Sequence, residues 1–254
     1  MQRALRLLRA YRAEQTDPDH FYSALAADSV AQLAHFVPLE GRTVLDVGGG
    51  PGYFGAAFRE AGARYIAVDA DVGELSVPGG GAAGSVLGSG LALPVRTGVV
   101  DVAYSSNVLE HVPDPWRMAD EMLRVTRPGG TVFLSYTSWY SPHGGHETGP
   151  WHYLGGHVAR RRYARTRGAE PKNRYGETLF RVTVAGGLRW ARRSEQCGLA
   201  HVVAAFPRYH PWWAAGVVRV PAVRELLTWN LALVLRRTGR VDLPRAGTAA
   251  GSVR

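Results

Sequence analysis

The chain has 254 residues, 46% of them hydrophobic, enough to bury a sizeable core in one domain. A single cysteine, Cys197, excludes an internal disulfide framework and a multi-cysteine metal site, and it fits a reducing cytoplasm. The formal charge of +9 is carried almost wholly by arginine, Lys172 being the only lysine; it suits RNA, a phosphate-bearing substrate or an anionic membrane surface, and equally a coding bias toward arginine.

The first fifteen residues, MQRALRLLRAYRAEQ, alternate Leu and Arg at helical spacing and lack the apolar core and cleavage site of a signal peptide. Residues 19–37 continue as helix, so 1–37 form a helical cap. Thr43–Val47 reads as a buried strand ending in glycines, Tyr53–Ala61 as a helix, and Tyr65–Val68 as a second strand, the start of a parallel α/β sheet. Residues 72–90 read as loop. Val99–Tyr104 is a further strand, Asp114–Thr126 an amphipathic helix stopped by RPGG, and Thr131–Tyr136 a strand. Residues 138–180 form an irregular insertion rich in Gly, His, Trp and Arg. Helix returns at Val184–Cys197 and a strand at His201–Phe206. Pro211–Arg237 reads as an apolar helical tail, and its longest apolar run, Leu226–Leu235, falls far short of the roughly 20 residues of a membrane span. Residues 1–237 are expected to form one domain, with 238–254 a disordered tail.

Asp46-Val47-Gly48-Gly49-Gly50-Pro51-Gly52 lies between a strand and a helix, where glycine lets the backbone turn sharply and approach a ligand. It lacks the Gly-Lys-Ser/Thr ending of a nucleotide-triphosphate loop, which disfavours phosphate transfer. About twenty residues on, Asp69 and Asp71 follow the second strand, where an acid can accept hydrogen bonds from the ribose hydroxyls of an adenosine cofactor. NAD fits that spacing too, although Asp46 at the first strand's end suits a cofactor with a positive amino or sulfonium centre better than a pyrophosphate.

On VLDVGGGPGYF, YIAVDAD, LALPVRTGVVDVAYSSNVLEHVPDP and EMLRVTRPGGTVFLSY, in order over about residues 40–137, the chain resembles the class I S-adenosylmethionine-dependent methyltransferases, especially the type 11 branch. The resemblance implies a Rossmann-like α/β fold: a central, mostly parallel seven-stranded sheet flanked by helices, with the insertion after the fifth strand. It implies S-adenosyl-L-methionine as cofactor, with Asp46, Gly48, Gly50 and Gly52 around its methionine part and Asp69 on the ribose, Asp71 being the alternative. Asn107 and Val108 would lie near the sulfonium. His111 belongs to the Leu-Glu-His element and either orients that loop or packs at a helix start. The family's acid for the adenine amine is replaced here by Gly88-Ser89-Gly90, leaving Ser89 or a backbone group to serve.

The methyl acceptor is less legible. The nucleobase-amine element Asn/Asp-Pro-Pro-aromatic is replaced by Ser105-Ser106-Asn107, and Cys197 lies in an expected helix away from the site, so nucleic acid is disfavoured as substrate. A hydroxyl acceptor needs a base of near-neutral pKa, which histidine supplies. The stretch SPHGGHETGPWHYLGGH, Ser141–His157, follows the fifth strand and so lies at the carboxyl edge of the sheet, where ligands bind. His146 is the expected base, with Glu147 orienting its ring or binding a sugar hydroxyl, and His152 is the second catalytic candidate. His143, His146, Glu147 and His152 could also supply metal ligands, but their spacing matches no helical zinc signature, and no metal is expected. Trp139, Tyr140, Trp151 and Tyr153 could stack on sugar faces or line an acyl pocket. Gly-Gly-His-Glu followed by Trp-His-Tyr-Leu-Gly is similar to actinobacterial methyltransferases of cell-envelope glycans or glycolipids.

Residues 158–174 carry seven basic residues against Glu170, as a solvated helix face or a site for a phosphate-bearing or lipid-linked acceptor. With the basic N-terminus and Trp212-Trp213 they suggest peripheral contact with the inner face of a membrane. The expectation is a cytoplasmic O-methyltransferase of a sugar or glycolipid hydroxyl. Methylation of a lipid or quinone-like molecule, or non-catalytic RNA or cofactor binding, stays open as the alternative. Oligomeric state is not legible.

Overall fold

The computed structural model describes residues 18–50, 52–71, 84–221 and 223–240. The expected basic N-terminal helix, most of the 72–90 loop and most of the expected disordered tail lie outside the described residues.

Seven strands form one sheet: β1 (Thr43–Val47), β2 (Arg64–Asp69), β3 (Ser85–Leu87), β4 (Val100–Ser106), β5 (Thr126–Thr137), β6 (Ala200–Pro207) and β7 (Asn230–Arg237). Their spatial order is β3-β2-β1-β4-β5-β7-β6, and only β7 runs against the others. Among the described residues the α-helices are α1 (Pro18–Ala34), α2 (Tyr53–Glu60), α3 (Pro115–Val125), α4 (Gly156–Arg167), α5 (Val184–Gln196) and α6 (Val223–Leu227).

The central strands are apolar at nearly every position because both faces of the sheet are covered. Alternate residues therefore enter different cores. Leu45, Leu134 and Leu233 pack with Met118, Met122 and Trp190 on the side of α3 and α5. Val44, Phe133 and Val234 pack with Leu33 and Phe58 on the side of α1 and α2. Asp114 starts α3 by accepting a hydrogen bond from the Arg117 amide, with Pro115 in the first turn, and the helix buries Met118, Ala119, Met122 and Leu123. Phe58 is fully buried, so truncating it to Ala should cost about 3–5 kcal/mol.

The expected helical tail is corrected. Trp212–Arg219 is a 3-10 turn and α6 is short, but Asn230–Arg237 is a strand inserted between β5 and β6. NLALVLRR has no polar face, and a continuous apolar run does not distinguish a two-sided buried strand from a buried helix. Its register decides: Leu233 pairs with Leu134 on one side and Ala205 on the other. One smaller difference follows: Ser85–Leu87 adds an edge strand within the expected 72–90 loop. The helix face read over 158–174 corresponds to α4, Gly156–Arg167.

Strand order reverses between β1 and β4, where connections leave in opposite directions. In an open parallel sheet this opens a crevice outside the carboxyl ends of those two strands.

Candidate functional site

Beyond β1 the chain passes through Gly48, Gly50 and Gly52, with φ of +79°, +52° and +86°. Gly48 is doubly required. A Cβ there would lie 2.5 Å from Val108 Cγ2, so the loop after β1 presses against the loop after β4. Asp69, at the end of β2, fastens the glycine loop: Oδ2 accepts from the Gly50 amide at 2.9 Å and Oδ1 from the Asp71 amide at 2.9 Å. Gly88 N–H donates to the Asp69 carbonyl, which sets Ser89 beside the end of β2. Ser89 is exposed, and its Oγ accepts from the Leu91 amide.

Asp46 lies beneath this loop, 2% exposed, and Tyr65 donates its hydroxyl to Oδ2 at 2.7 Å. Burial pushes its pKa up to about 7; the Tyr65 hydrogen bond opposes the rise, the Asp69 charge adds to it, and Arg208 opposes it.

Across the crevice Asn107 has φ +57°, a left-handed conformation that Asn tolerates better than most residues. Its Oδ1 accepts from Asn230 Nδ2 at 2.6 Å, and its Nδ2 donates to the Tyr209 hydroxyl at 3.3 Å. Arg208 lies fully buried behind these groups. Its guanidinium donates to Ser29, Tyr104, Ser106 and Ser135 at 2.5–3.1 Å, tying α1 to β4 and β5. The structure thus gathers Asp46, Gly48, Gly50, Gly52, Asp69, Asn107 and Val108 at one edge, with Ser89 beside them. Sequence reading missed Arg208, Asn230 and Tyr209, which lie in or next to a segment expected to be helical.

His146, in the loop after β5, has φ +47°. Its ring stands 5.1 Å from that of His111, tilted by 63°. Glu110, 2% exposed, lies with them: ligand-capable atoms of Glu110, His111 and His146 all fall within 4.8 Å of one another. Glu110 Oε1 accepts from the Thr137 amide at 2.9 Å, and His111 Nδ1 meets the Thr178 carbonyl at 2.8 Å. Burial lowers the His146 pKa, the nearby Glu110 opposing it.

His146 and Glu147 lie close enough to feel each other's charge, and no hydrogen bond joins them among the described residues. Both Glu147 oxygens accept from Asn173, one from its amide at 2.7 Å and one from Nδ2 at 2.8 Å. The Leu-Glu-His element also supplies neighbours of His146, and its glutamate was the signal available in sequence. His152 is completely buried. Its Nε2 meets the Ser141 carbonyl at 3.1 Å, its ring stands edge-on to Trp139, and Gly145 packs so closely that a Cβ would lie 2.5 Å from the ring. That environment packs the ring into the loop.

The basic segment is partly neutralised from within. Arg160 bridges Glu170 and Glu177, and Arg174 also meets Glu177. Arg161, Arg162, Arg165 and Arg167 stay exposed, Arg162 lying 3.9 Å over the Trp151 ring. No described helix is long and apolar enough to cross a membrane.

A reversed final strand in an otherwise parallel sheet, and a glycine loop at its switch point, define a Rossmann-like α/β enzyme that binds a nucleoside cofactor. Residues 45–134 match the family described as "Methyltransferase domain". An uncharacterized methyltransferase of Mycolicibacterium gilvum is 54% identical over 94% of this chain and 95% of its own length. One from Mycobacteroides abscessus is 52% identical over 93% and 94%. Among solved structures, an S-adenosylmethionine-dependent methyltransferase from Mesorhizobium loti shares the fold with a TM-score of 0.56 at 20% identity, over 83% of this chain and 98% of that one. The chain belongs to the S-adenosylmethionine-dependent methyltransferases of class I, and its cofactor is S-adenosylmethionine. The residues present suit that molecule: a buried carboxylate, a glycine-rich loop, and an acid at the end of β2.

Proposed function

We propose that the protein methylates a hydroxyl of a sugar or glycolipid in the cytoplasm. S-adenosylmethionine supplies, when bound, an electrophilic methyl carbon on a sulfonium. In this reading Asp46 and the glycines Gly48, Gly50 and Gly52 hold its amino-acid end, Asp69 its ribose and Ser89 its adenine side. Asn107 and Val108 border the reacting carbon. The protein must then place a hydroxyl in line with that carbon and relieve it of a proton. With the cofactor bound, the acceptor oxygen's lone pair would form the new C–O bond, the C–S bonding pair would stay on sulfur, and the hydroxyl proton would pass to a base or to water.

The observation that carries the reading is the cluster of Glu110, His111 and His146 beside the carboxyl ends of β4 and β5. It joins His146 of the insertion to Glu110 and His111 of the turn after β4, and such a group is suited to removing a proton. Glu147 and His152 shape the loop that presents His146. Residues 138–180 serve as the acceptor side of a single domain spanning 1–237. A lipid-bearing acceptor is favoured by Trp212 and Trp213, 87% and 70% exposed, beside the exposed Leu226 and Leu227. Such a face supports peripheral contact with the inner face of a membrane.

The test is transfer of labelled methyl from the cofactor to envelope glycan and glycolipid extracts, with the product located by mass spectrometry. A methyl ether on a sugar supports the reading. A methylated amine, carboxylate or quinone-like ring overturns it, as does salt-sensitive RNA binding with no transfer to any small acceptor.

A further inference from the structure

We propose that Glu110, His111 and His146 bind one divalent transition-metal cation of the zinc class. The ion's catalytic part rests on the hydroxyl-acceptor reading above; its binding does not.

Two imidazoles and one carboxylate form a mixed nitrogen and oxygen donor set that suits zinc, iron, cobalt or nickel better than magnesium or calcium. All three candidate ligand atoms already lie within 4.8 Å of one another. Bonds of about 2.0–2.2 Å to a common ion would bring them to about 3–3.5 Å, a closure that small side-chain torsions supply.

The hydrogen bonding around the cluster is the stronger argument. Glu110 is 2% exposed, and its carboxylate is half used: Oε1 takes the Thr137 amide, while Oε2 is buried without a hydrogen-bond partner among the described residues. His146 Nε2 is likewise buried and without a partner among them. A lone buried polar atom without a partner is costly, and here two fall in one cluster. The third residue is prepared differently. The Thr178 carbonyl can only accept, so the His111 Nδ1 facing it at 2.8 Å carries the proton, and Nε2 of the neutral ring keeps its lone pair. A ligating histidine that donates its other ring N–H to a backbone carbonyl, and a ligating carboxylate held by an amide, are the supports that fix metal ligands in place.

The three ligands come from two places that the fold brings together. Glu110 and His111 lie on the 3-10 turn Leu109–His111 directly after Val108, and His146 opens the turn His146–Thr148 in the loop beyond β5. The cation would therefore join the cofactor-side loop to the acceptor-side insertion. With three protein ligands it keeps coordination positions open. An acceptor hydroxyl taking one of them would have its pKa lowered and release its proton to water, leaving the oxygen lone pair for the methyl carbon. Proton removal is thus assigned to the cation, and His146 is a ligand to it.

Tag-free protein is stripped with a chelator and titrated with Zn2+ by calorimetry, and with Co2+ by visible absorption. One ion per chain at micromolar Kd or tighter is expected, with a Co2+ spectrum of mixed nitrogen and oxygen ligation. Glu110→Gln and His146→Gln should each weaken Zn2+ at least about 100-fold, at the upper end of what even ligand-supporting residues contribute. Cofactor affinity should stay within about twofold, which also reports that the variants are folded. His157→Ala, whose ring stands edge-on to Tyr175 and is not one of the three candidate ligands, should bind as wild type does. No Zn2+ binding by the wild type, or binding that both cluster variants retain, overturns the site. Zn2+ bound at the cluster with methyl transfer only to amines keeps the site and removes its catalytic part. Sugar methylation undiminished by chelation, in protein that takes up no Zn2+, keeps the hydroxyl-acceptor reading and overturns the metal site.

Discussion

Tyr65 donates its hydroxyl to the buried Asp46 carboxylate at 2.7 Å, and this bond stands between the sheet and the glycine loop. It is too little to keep the acid strong, since burial raises the Asp46 pKa to about 7. Asp46 thus holds its proton more tightly in the folded protein than in an unfolded chain, where aspartate titrates near 4. Its contribution favours folding below about pH 4 and is lost as pH rises through about 7. Asp46→Asn should therefore match wild-type stability at pH 4 and exceed it at pH 8 by several degrees in Tm. Thermal melts at the two pH values check this; a variant less stable than wild type at pH 8 refutes it.

The same carboxylate should make cofactor binding pH-dependent. A positive cofactor favours the ionised acid, so binding below pH 7 must expel a proton. Calorimetry at pH 6.5 in two buffers of different ionisation enthalpy should detect a fraction of a proton released, falling toward zero by pH 8.5. An equal heat in both buffers at pH 6.5 would count against the assignment.

Asp69 anchors the Gly50 and Asp71 amides, and in the proposed site it also holds the ribose. Asp69→Ala should weaken S-adenosylmethionine by at least about tenfold, the scale of one lost charge-assisted hydrogen bond. Unchanged affinity in calorimetry would remove it from the cofactor site.

Gly48 and Val108 provide a paired test. Gly48→Ala meets both a positive φ and the Val108 side chain. We expect loss of cofactor binding, with partial recovery in Gly48→Ala/Val108→Ala, since the second change relieves the contact and leaves the backbone strain. Equal affinities in the single and double variants would show that contact to be unimportant.

Arg208→Met removes a buried guanidinium that serves four hydroxyls. Breaking a network of this kind typically costs about 3–5 kcal/mol, which for a chain of this size lowers Tm by roughly 10 °C. A shift under about 3 °C, read by calorimetry, would show that the hydroxyls satisfy one another without it.

How far the sequence could be read depended on distance along the chain. Glycines at forced turns, an acid at a strand end and a capped amphipathic helix are local signals, so Gly48, Asp69 and α3 were legible. The apolar run Asn230–Arg237 had no period to separate strand from helix, and only pairing with β5 and β6 decides it. His146 was singled out, yet only its sequence neighbour Glu147 was paired with it. Adjacent residues in a tight turn point in different directions, so Glu147 went to Asn173, while Glu110, thirty-six positions earlier, reached the histidine. Arg208 gave no signal, because a buried arginine looks like an exposed one until its hydroxyl partners, scattered from Ser29 to Ser135, are brought together.

The position of β7 also governs when the protein can become whole. β6 touches the sheet only through β7, so Ala200–Pro207 has no strand to pair with until Asn230–Arg237 has been synthesised. Asn230, which grips Asn107, arrives at the same moment. On the ribosome the parallel half, with its glycine loop, can assemble first, while the far side of the crevice waits for the final strand. Such late, long-range pairing leaves apolar edges uncovered in the interval. Premature termination before residue 230 should therefore leave an aggregation-prone chain with a correctly spelled cofactor loop.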